Sequence, residues 1–108
     1  MDNKTLELVR TIAECQAMCN YCFNACLGEK DVHMMVKCIK LDKECSEICG
    51  LTISSISSES SLSKEIIKLC AEACHNCAEE CKKHQVQHCQ DCAEACRKCA
   101  EACQSYAT

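Results

Sequence analysis

The sequence is poor in the residues from which most protein cores and turns are built. Its 108 residues include no proline, no tryptophan, two glycines and three aromatic side chains. Ile, Leu, Val and Phe together number only nineteen, whereas there are sixteen cysteines. A chain of this length is enough for one domain, residues 1–108, but its aliphatic side chains alone would not fill an ordinary core. We therefore expect the cysteines either to form the core or to bind what fills it.

Long apolar segments and a strong excess of one charge are also absent. Residues 1–15 carry five charged side chains, so no secretion signal is expected there, and no segment approaches the roughly 20 apolar residues of a membrane span. The net charge of −4 comes from interspersed acidic and basic residues, which favours a soluble protein without a nucleic-acid or membrane partner. These absences predict a cytoplasmic protein, and in a reducing cytosol many cysteines indicate metal binding more often than disulfides.

The cysteines follow the period of an α-helix. They fall into four groups in which neighbouring cysteines are 3, 4 or 7 residues apart: Cys15, Cys19, Cys22 and Cys26; Cys38, Cys45 and Cys49; Cys70, Cys74, Cys77 and Cys81; Cys89, Cys92, Cys96, Cys99 and Cys103. This spacing places each group on one face of a helix and fits no strand. Four helices are therefore predicted, over about 3–27, 31–57, 61–83 and 87–105. Their short connections imply antiparallel neighbours, so the predicted fold is all-α, an up-down-up-down four-helix bundle with a Cys-lined core.

Local signals support these helix ends. Gly28 lies just past the first cysteine group, where a helix C-terminal glycine is expected, and Asp31 is expected to cap the second helix. Seven of the ten residues in 54–63 are serine, which marks the turn into the third helix. The segments 70–81 and 92–103 agree at nine of twelve positions, so the cysteine stripe is an internal repeat.

Stacking the helices in alternating directions predicts which thiols share a layer. The layer at the end formed by the first and third connections contains Cys26, Cys38, Cys81 and Cys89. The second layer contains Cys22, Cys77 and Cys92, to which the second helix adds Leu41 or Asp42. The third contains Cys19, Cys45, Cys74 and Cys96, and the fourth Cys15, Cys49, Cys70 and Cys99. Cys103 lies beyond the fourth layer, so all sixteen thiols are predicted to face the interior.

The two ends of the predicted bundle differ in chemistry. Large aliphatic side chains gather near Cys103: Leu8, Ile12, Ile53, Ile56, Leu62, Ile66 and Ile67. Candidate metal-binding side chains gather at the opposite end, termed the mouth: His33, Met34, Met35, His84 and His88. Cys38 and Cys89 have no Cys-x3-Cys partner in their own helices and fall in the mouth layer, so the His and Met residues are expected to complete their coordination. His75 lies off the cysteine stripe and is predicted to be a surface residue.

Paired thiols along a helix face suit soft metal ions. Cysteines at i and i+4 have Cβ atoms about 5–6 Å apart, which lets two thiolates bind one ion. Soft thiolates select Cu(I), Zn(II) and iron–sulfur clusters. Zinc needs closed tetrahedral sites, so sixteen thiols would hold only about four ions. Cu(I) is satisfied by two or three thiolates and tolerates bridging sulfur, which a continuous stripe provides.

The residues also suggest three alternatives to the binding of many Cu(I) ions. A zinc or cadmium store resembling a metallothionein stays open. An iron–sulfur carrier is disfavoured because the ferredoxin cysteine run that ends in proline is missing. A disulfide-braced protein is disfavoured because i,i+4 thiols on one helix brace nothing. The histidines have no Ser or Asp partner at a usable spacing, so we predict that the protein is not an enzyme.

The cysteine motifs also resemble those of a known family. The helical Cys-x3-Cys-x2-Cys-x3-Cys stripes at 15–26, 70–81 and 89–103, together with Cys38, Cys45 and Cys49, look like those of the four-helix-bundle copper storage proteins, in particular their cytosolic, signal-free branch. The resemblance covers essentially the whole chain. It implies several Cu(I) ions bound along the core, mainly by seven Cys-x3-Cys pairs, with His and Met assisting entry at the mouth, and a homotetramer. Exchange of copper with a chaperone or a cuproenzyme is a further expectation of that role.

Overall fold

Four long helices account for most of the chain, as the cysteine spacing predicted. The computed structural model describes residues 1–107, with α1 at Asn3–Leu27, α2 at Val36–Ser57, α3 at Ser63–Cys81 and α4 at Gln87–Ala107. The described residues contain no strand. Helices α1 and α3 each pack against both α2 and α4, so neighbours in sequence are neighbours in space and the α1–α4 contact closes a bundle 44 Å long and 17 Å across. The predicted four-helix bundle is confirmed.

The second helix begins later than the spacing predicted. A 3-10 turn, Val32–Met35, precedes α2, so the α-helix starts at Val36 rather than near residue 31. The predicted side-chain cap at Asp31 is wrong, because only its backbone carbonyl accepts a hydrogen bond, from the Met34 N–H at 3.1 Å. The 3-10 turn ends at Met35, whose side chain is buried in the core.

The serine-rich segment forms the turn between α2 and α3, as predicted. Its hydroxyls bond to the backbone of the turn itself: Ser63 Oγ donates to the carbonyl oxygen of Ser60 at 2.8 Å and lies 3.0 Å from that of Ser55. Glu59 reverses the chain in the left-handed region, with a φ of 56°. Serine suits this turn because its short hydroxyl side chain reaches nearby backbone groups that no helix pairs.

The aliphatic end is closed by side chains from three helices. Leu8 and Ile12 of α1, Ile56 of α2 and Ile67 of α3 are all buried. On the same end, the hydroxyls of Thr5 and Tyr106 lie 2.7 Å apart and join α1 to α4. Ile53 and Ile66 are only half-buried. Leu62 lies at this end as predicted, in the turn before α3, but it is 60% exposed and does not help to close the core.

Ile12 should be the most costly of these residues to truncate. Its side chain is fully buried, so we expect Ile12→Ala to lower the free energy of unfolding of the reduced, metal-free protein by about 3 kcal/mol, as a large core truncation does. The measurement is urea unfolding followed by circular dichroism. Leu62→Ala removes a similar side chain from an exposed position at the same end, and its effect should stay within about 0.5 kcal/mol. Equal decreases in the free energy of unfolding in the two variants would contradict the burial of Ile12 at the closed end.

Candidate metal centre

The thiols form a continuous core, since the side chains of all sixteen cysteines are completely buried. Each helix contributes its cysteine stripe to the same interior because a 3.6-residue period keeps positions at i, i+3, i+4 and i+7 on one face. Beside the stripe, α3 and α4 bury alanines, among them Ala71, Ala78 and Ala93. These small side chains fit the narrow bundle and leave the sulfur atoms as the main contents of its core.

The mouth layer brings one thiol from each helix together, as the stacking predicted. Cys38 Sγ lies 3.3 Å from Cys81 Sγ, and 3.9 Å from both Cys26 Sγ and Cys89 Sγ. Cys26 and Cys89 are themselves 3.9 Å apart. Cys38 and Cys89, which have no Cys-x3-Cys partner within their own helices, therefore find thiol partners across the bundle.

In the second layer, just below the mouth layer, a carboxyl group from α2 takes the place of a fourth thiol. Of the two candidates from α2, the structure places Asp42 in the core, whereas Leu41 is half-buried at its edge. Asp42 Oδ1 accepts from Cys77 Sγ at 3.2 Å, Cys92 Sγ at 3.4 Å and Cys81 Sγ at 3.5 Å. Burial, reinforced by negative charge at neighbouring thiols, raises the pKa of Asp42 to about 8.

The two inner layers interlock rather than stack as flat squares. Cys15 belongs to the fourth predicted layer, yet its Sγ lies 3.7 Å from Cys96 Sγ and 3.8 Å from Cys74 Sγ, both in the third. Within the third layer, Cys19 and Cys96 are 3.5 Å apart, and Cys45 lies 3.6 Å from Cys74. Such contacts join the third and fourth layers into one cluster of sulfur atoms.

Several sets of four donor atoms are close enough to surround one ion. In each set the donor atoms lie within 4.8 Å of one another. The sets include Cys15/Cys49/Cys74/Cys99, Cys15/Cys19/Cys45/Cys96, Cys19/Cys77/Cys92/Cys96, Cys22/Cys26/Cys38/Cys89 and Cys22/Asp42/Cys81/Cys92. The sets overlap, because five thiols each belong to two of them: Cys15, Cys19, Cys22, Cys92 and Cys96. A shared thiol must bridge ions if neighbouring sets are filled together, so the arrangement suits a metal that accepts bridging sulfur.

Two thiols of the mouth layer hold their protons more tightly than an ordinary cysteine does. Burial raises the pKa of Cys26 to about 12 and also raises the pKa of Cys89, because a thiolate loses its hydration inside the bundle. Metal binding at these positions must therefore release protons.

Of the five His and Met candidates at the mouth, only some face the core. His88 Nδ1 lies 3.4 Å from Cys22 Sγ and 3.6 Å from Cys89 Sγ, and Met35 is buried. His84 Nε2 instead donates to Glu80 Oε2 at 2.9 Å. Met34 is 66% exposed and His33 is also exposed, so the structure does not bring them to the thiols. His75 is exposed, as predicted.

Two carboxylates behind the mouth histidines were not identified from the sequence. Glu80 Oε2 accepts from His84, and Glu29 Oε2 accepts from His88 Nε2 at 3.2 Å. The i,i+4 spacing of Glu80 and His84 on neighbouring turns is a signal that could have revealed the first pair. Glu29 and His88 are 59 residues apart, and no local pattern connects them.

A copper storage protein family model matches residues 1–108, the whole chain. The chain belongs to the copper storage protein family. Its fold is shared with solved members: the Cu(I)-bound copper storage protein BsCsp3 matches with a TM-score of 0.94 and 42% identity, covering 98% of this chain and 100% of that one. The metal-free Csp3 of Bacillus subtilis matches with a TM-score of 0.91.

Other copper storage proteins and a curated relative extend the comparison. Ccsp of Streptomyces lividans, loaded with 10 copper equivalents, has a TM-score of 0.91 at 32% identity, over 94% of this chain and 82% of that one. The uncharacterized cysteine-rich protein YhjQ of Bacillus subtilis (strain 168) is 42% identical over 90 residues, which is 83% of each chain. None of the described helices has the length and hydrophobicity needed to cross a membrane.

Proposed function

We propose that this protein stores and buffers several Cu(I) ions on the thiolates that line its bundle. The observation that carries the proposal is the core of sixteen buried thiols, in which the sulfur atoms that contact one another lie 3.3–4.0 Å apart, both between helices and along one helix. The ligands are all sixteen cysteines, with His88 and Met35 at the mouth assisting entry. His33, Met34 and His84 are assigned a weaker role in entry, because their side chains point to solvent or to Glu80.

Charge balance favours Cu(I) over Zn(II) in this core. Sixteen thiolates with four tetrahedral Zn(II) ions would carry a net charge of about −8, and buried charge is costly unless it is paired. The buried polar or charged side chains among the described residues are Asp42, Ser46, Thr52, Ser55 and Glu80, which include no Lys or Arg to offset that charge. One Cu(I) per thiolate leaves the core neutral. The overlapping ligand sets also require single thiolates to bridge two ions, and such bridging is ordinary for Cu(I) thiolates. The zinc or cadmium store is therefore not favoured.

The cellular setting follows from the same storage role. We place the protein in the cytoplasm, in agreement with the description of its Streptomyces lividans relative as a cytosolic copper storage protein.

The family resemblance supports a homotetramer, and exposed apolar side chains on the helices, such as Tyr21 and Leu51, provide surface that other copies would cover. Copper would pass to and from a chaperone or a cuproenzyme, and we assign no catalytic activity. Sedimentation velocity of the metal-free and loaded protein tests the tetramer.

The proposed storage is tested by counting ions. Fully reduced protein is titrated anaerobically with Cu(I) in the presence of a chromophoric Cu(I) chelator such as bicinchoninate. We expect more than about ten Cu(I) per chain to be taken up before the chelator competes, because thiols that bridge ions bind close to one ion each. A parallel titration with Zn(II) should saturate at about four ions. Saturation with Cu(I) at four or fewer would mean discrete sites and would overturn the storage proposal.

A further inference from the structure

The side chain of His88 is held between a carboxylate and two thiols. It lies in the first turn of α4 and is 11% exposed. Its Nε2 lies 3.2 Å from Glu29 Oε2, and its Nδ1 lies 3.4 Å from Cys22 Sγ and 3.6 Å from Cys89 Sγ. Each ring nitrogen therefore has its own partner, and the two partners lie on opposite sides of the ring.

These contacts determine which nitrogen can bind a metal. A carboxylate only accepts hydrogen bonds, so Nε2 must carry the proton that Glu29 receives. In the neutral ring Nδ1 then has a free lone pair, and this lone pair is directed at the two thiols. Metal-binding histidines generally donate their other N–H to a carboxylate or carbonyl, which fixes the ring orientation and increases ligand basicity. His88 has this arrangement already in the metal-free protein.

Glu29 is itself fixed by the end of α1. Its backbone N–H donates to the carbonyl oxygen of Cys26 at 3.2 Å, and Cys26 is one of the four mouth-layer thiols. The backbone of Glu29 is therefore held at the same helix end that carries Cys22 and Cys26, while His88 comes from α4. The hydrogen bond between them sets the position of the ring relative to thiols from both helices.

We propose that Glu29 is a positioning residue for copper entry, which holds His88 so that Nδ1, Cys22 Sγ and Cys89 Sγ form a ready-made set of ligands for the first ion to reach the mouth. This inference rests on the proposed function and deepens it. Glu29 does not touch the metal in this scheme and acts only through the ring of His88. Removing it leaves all sixteen thiols in place, so it changes how fast copper enters and leaves the total capacity unchanged.

The experiment follows transfer of Cu(I) from its bicinchoninate complex to reduced protein by stopped-flow absorbance. We expect Glu29→Ala to slow the first phase of transfer about 3- to 10-fold, at or below the lower limit of what loss of such a supporting carboxylate costs, with the same number of ions bound at the end. Glu29→Gln keeps an acceptor oxygen for Nε2–H and should recover most of the rate. Asp31→Ala is the matched control, because it removes one negative charge from an exposed position in the same connection and should leave the rate within twofold.

A double-variant comparison separates positioning from charge. If Glu29 acts through His88, Glu29→Ala should have no further effect in a His88→Ala background. An equal slowing by Asp31→Ala, an equal slowing in the His88→Ala background, or a wild-type rate in Glu29→Ala would each overturn the inference. The His88 Nε2 proton gives a readout that needs no copper: in nitrogen-15 NMR spectra of the metal-free protein it should be protected from solvent exchange, and Glu29→Ala should abolish that protection. This signal remains interpretable even if the ion count contradicts storage.

Discussion

Loading the reduced protein with Cu(I) should raise its thermal unfolding midpoint by more than about 30 °C. Ions that bind only the folded chain stabilise it by mass action, and each site contributes about 4 kcal/mol when free Cu(I) exceeds its dissociation constant a thousandfold. In a domain of this size each kcal/mol shifts the midpoint by about 4–8 °C. An unfolded chain cannot present the ordered column of thiols, so little of this binding energy is lost to the unfolded state.

The measurement is anaerobic circular dichroism at 222 nm during heating, at increasing Cu(I) equivalents. The metal-free protein should start helical, because protonated thiols pack as small apolar groups beside the aliphatic end. A Cys19→Ser, Cys96→Ser variant removes two central thiols that lie 3.5 Å apart and serves as the matched control. Its midpoint should rise clearly less at the same loading. Coincident melting curves for metal-free and fully loaded wild-type protein would show that the thiol column does not hold the copper.

Raising the pH should destabilise the metal-free protein between about pH 4 and pH 8, and Asp42 should be the main cause. Its pKa is raised from an ordinary value of 3.8 to about 8 in the folded core. The folded state therefore keeps a proton that the unfolded state gives up over this range. The stability that protonated Asp42 contributes is fully present below the pKa that Asp42 has in the unfolded chain. It is lost as the pH rises through the pKa that Asp42 has in the folded protein. The slope can reach about 1.4 kcal/mol per pH unit.

Asp42→Asn isolates this contribution. Asparagine keeps the size of the side chain and an oxygen that can accept from Cys77 and Cys92, but it cannot ionise. Urea midpoints of wild type and variant, measured with reductant and chelator at pH 5 and pH 7.5, should diverge with pH, with the variant the more stable at pH 7.5. Subtracting the two curves removes the contribution of every titratable group that the two proteins share. Parallel curves would mean that Asp42 ionises freely in the folded state and does not face the thiols as described.

The helices and the inward direction of the thiols could be predicted from the sequence because both depend on local geometry. A helix repeats every 3.6 residues, so gaps of 3, 4 and 7 between cysteines determine their common face without knowledge of any partner. Short connections then permitted only antiparallel neighbours, and this was enough to predict that Cys26, Cys38, Cys81 and Cys89 meet in one layer. The aliphatic end followed from the same stacking, although Leu62 is exposed there, because it lies in the turn where no helix period applies.

The finer details of the site depended on how each helix is rotated and shifted against the others. Leu41 and Asp42 are adjacent on α2, and a rotation of one residue decides which of them enters the core. The sequence narrowed the choice to this pair, and packing against Cys77 and Cys92 selected Asp42. The interlocking of Cys15 with Cys74 and Cys96 has the same origin, since a small shift along the axis moves a thiol between two layers.

The sequence by itself therefore determined a four-helix bundle with a column of sixteen inward thiols, and with it the chemistry of a soft-metal store. Only the tertiary structure decided which mouth residues reach that column. His88 meets Cys22 and is supported by Glu29 across the bundle, while His33 and Met34 stay at the surface. The reason is physical: a helix period determines contacts within a few turns, whereas contacts between distant segments depend on the path of the connections and on the packing of whole helices.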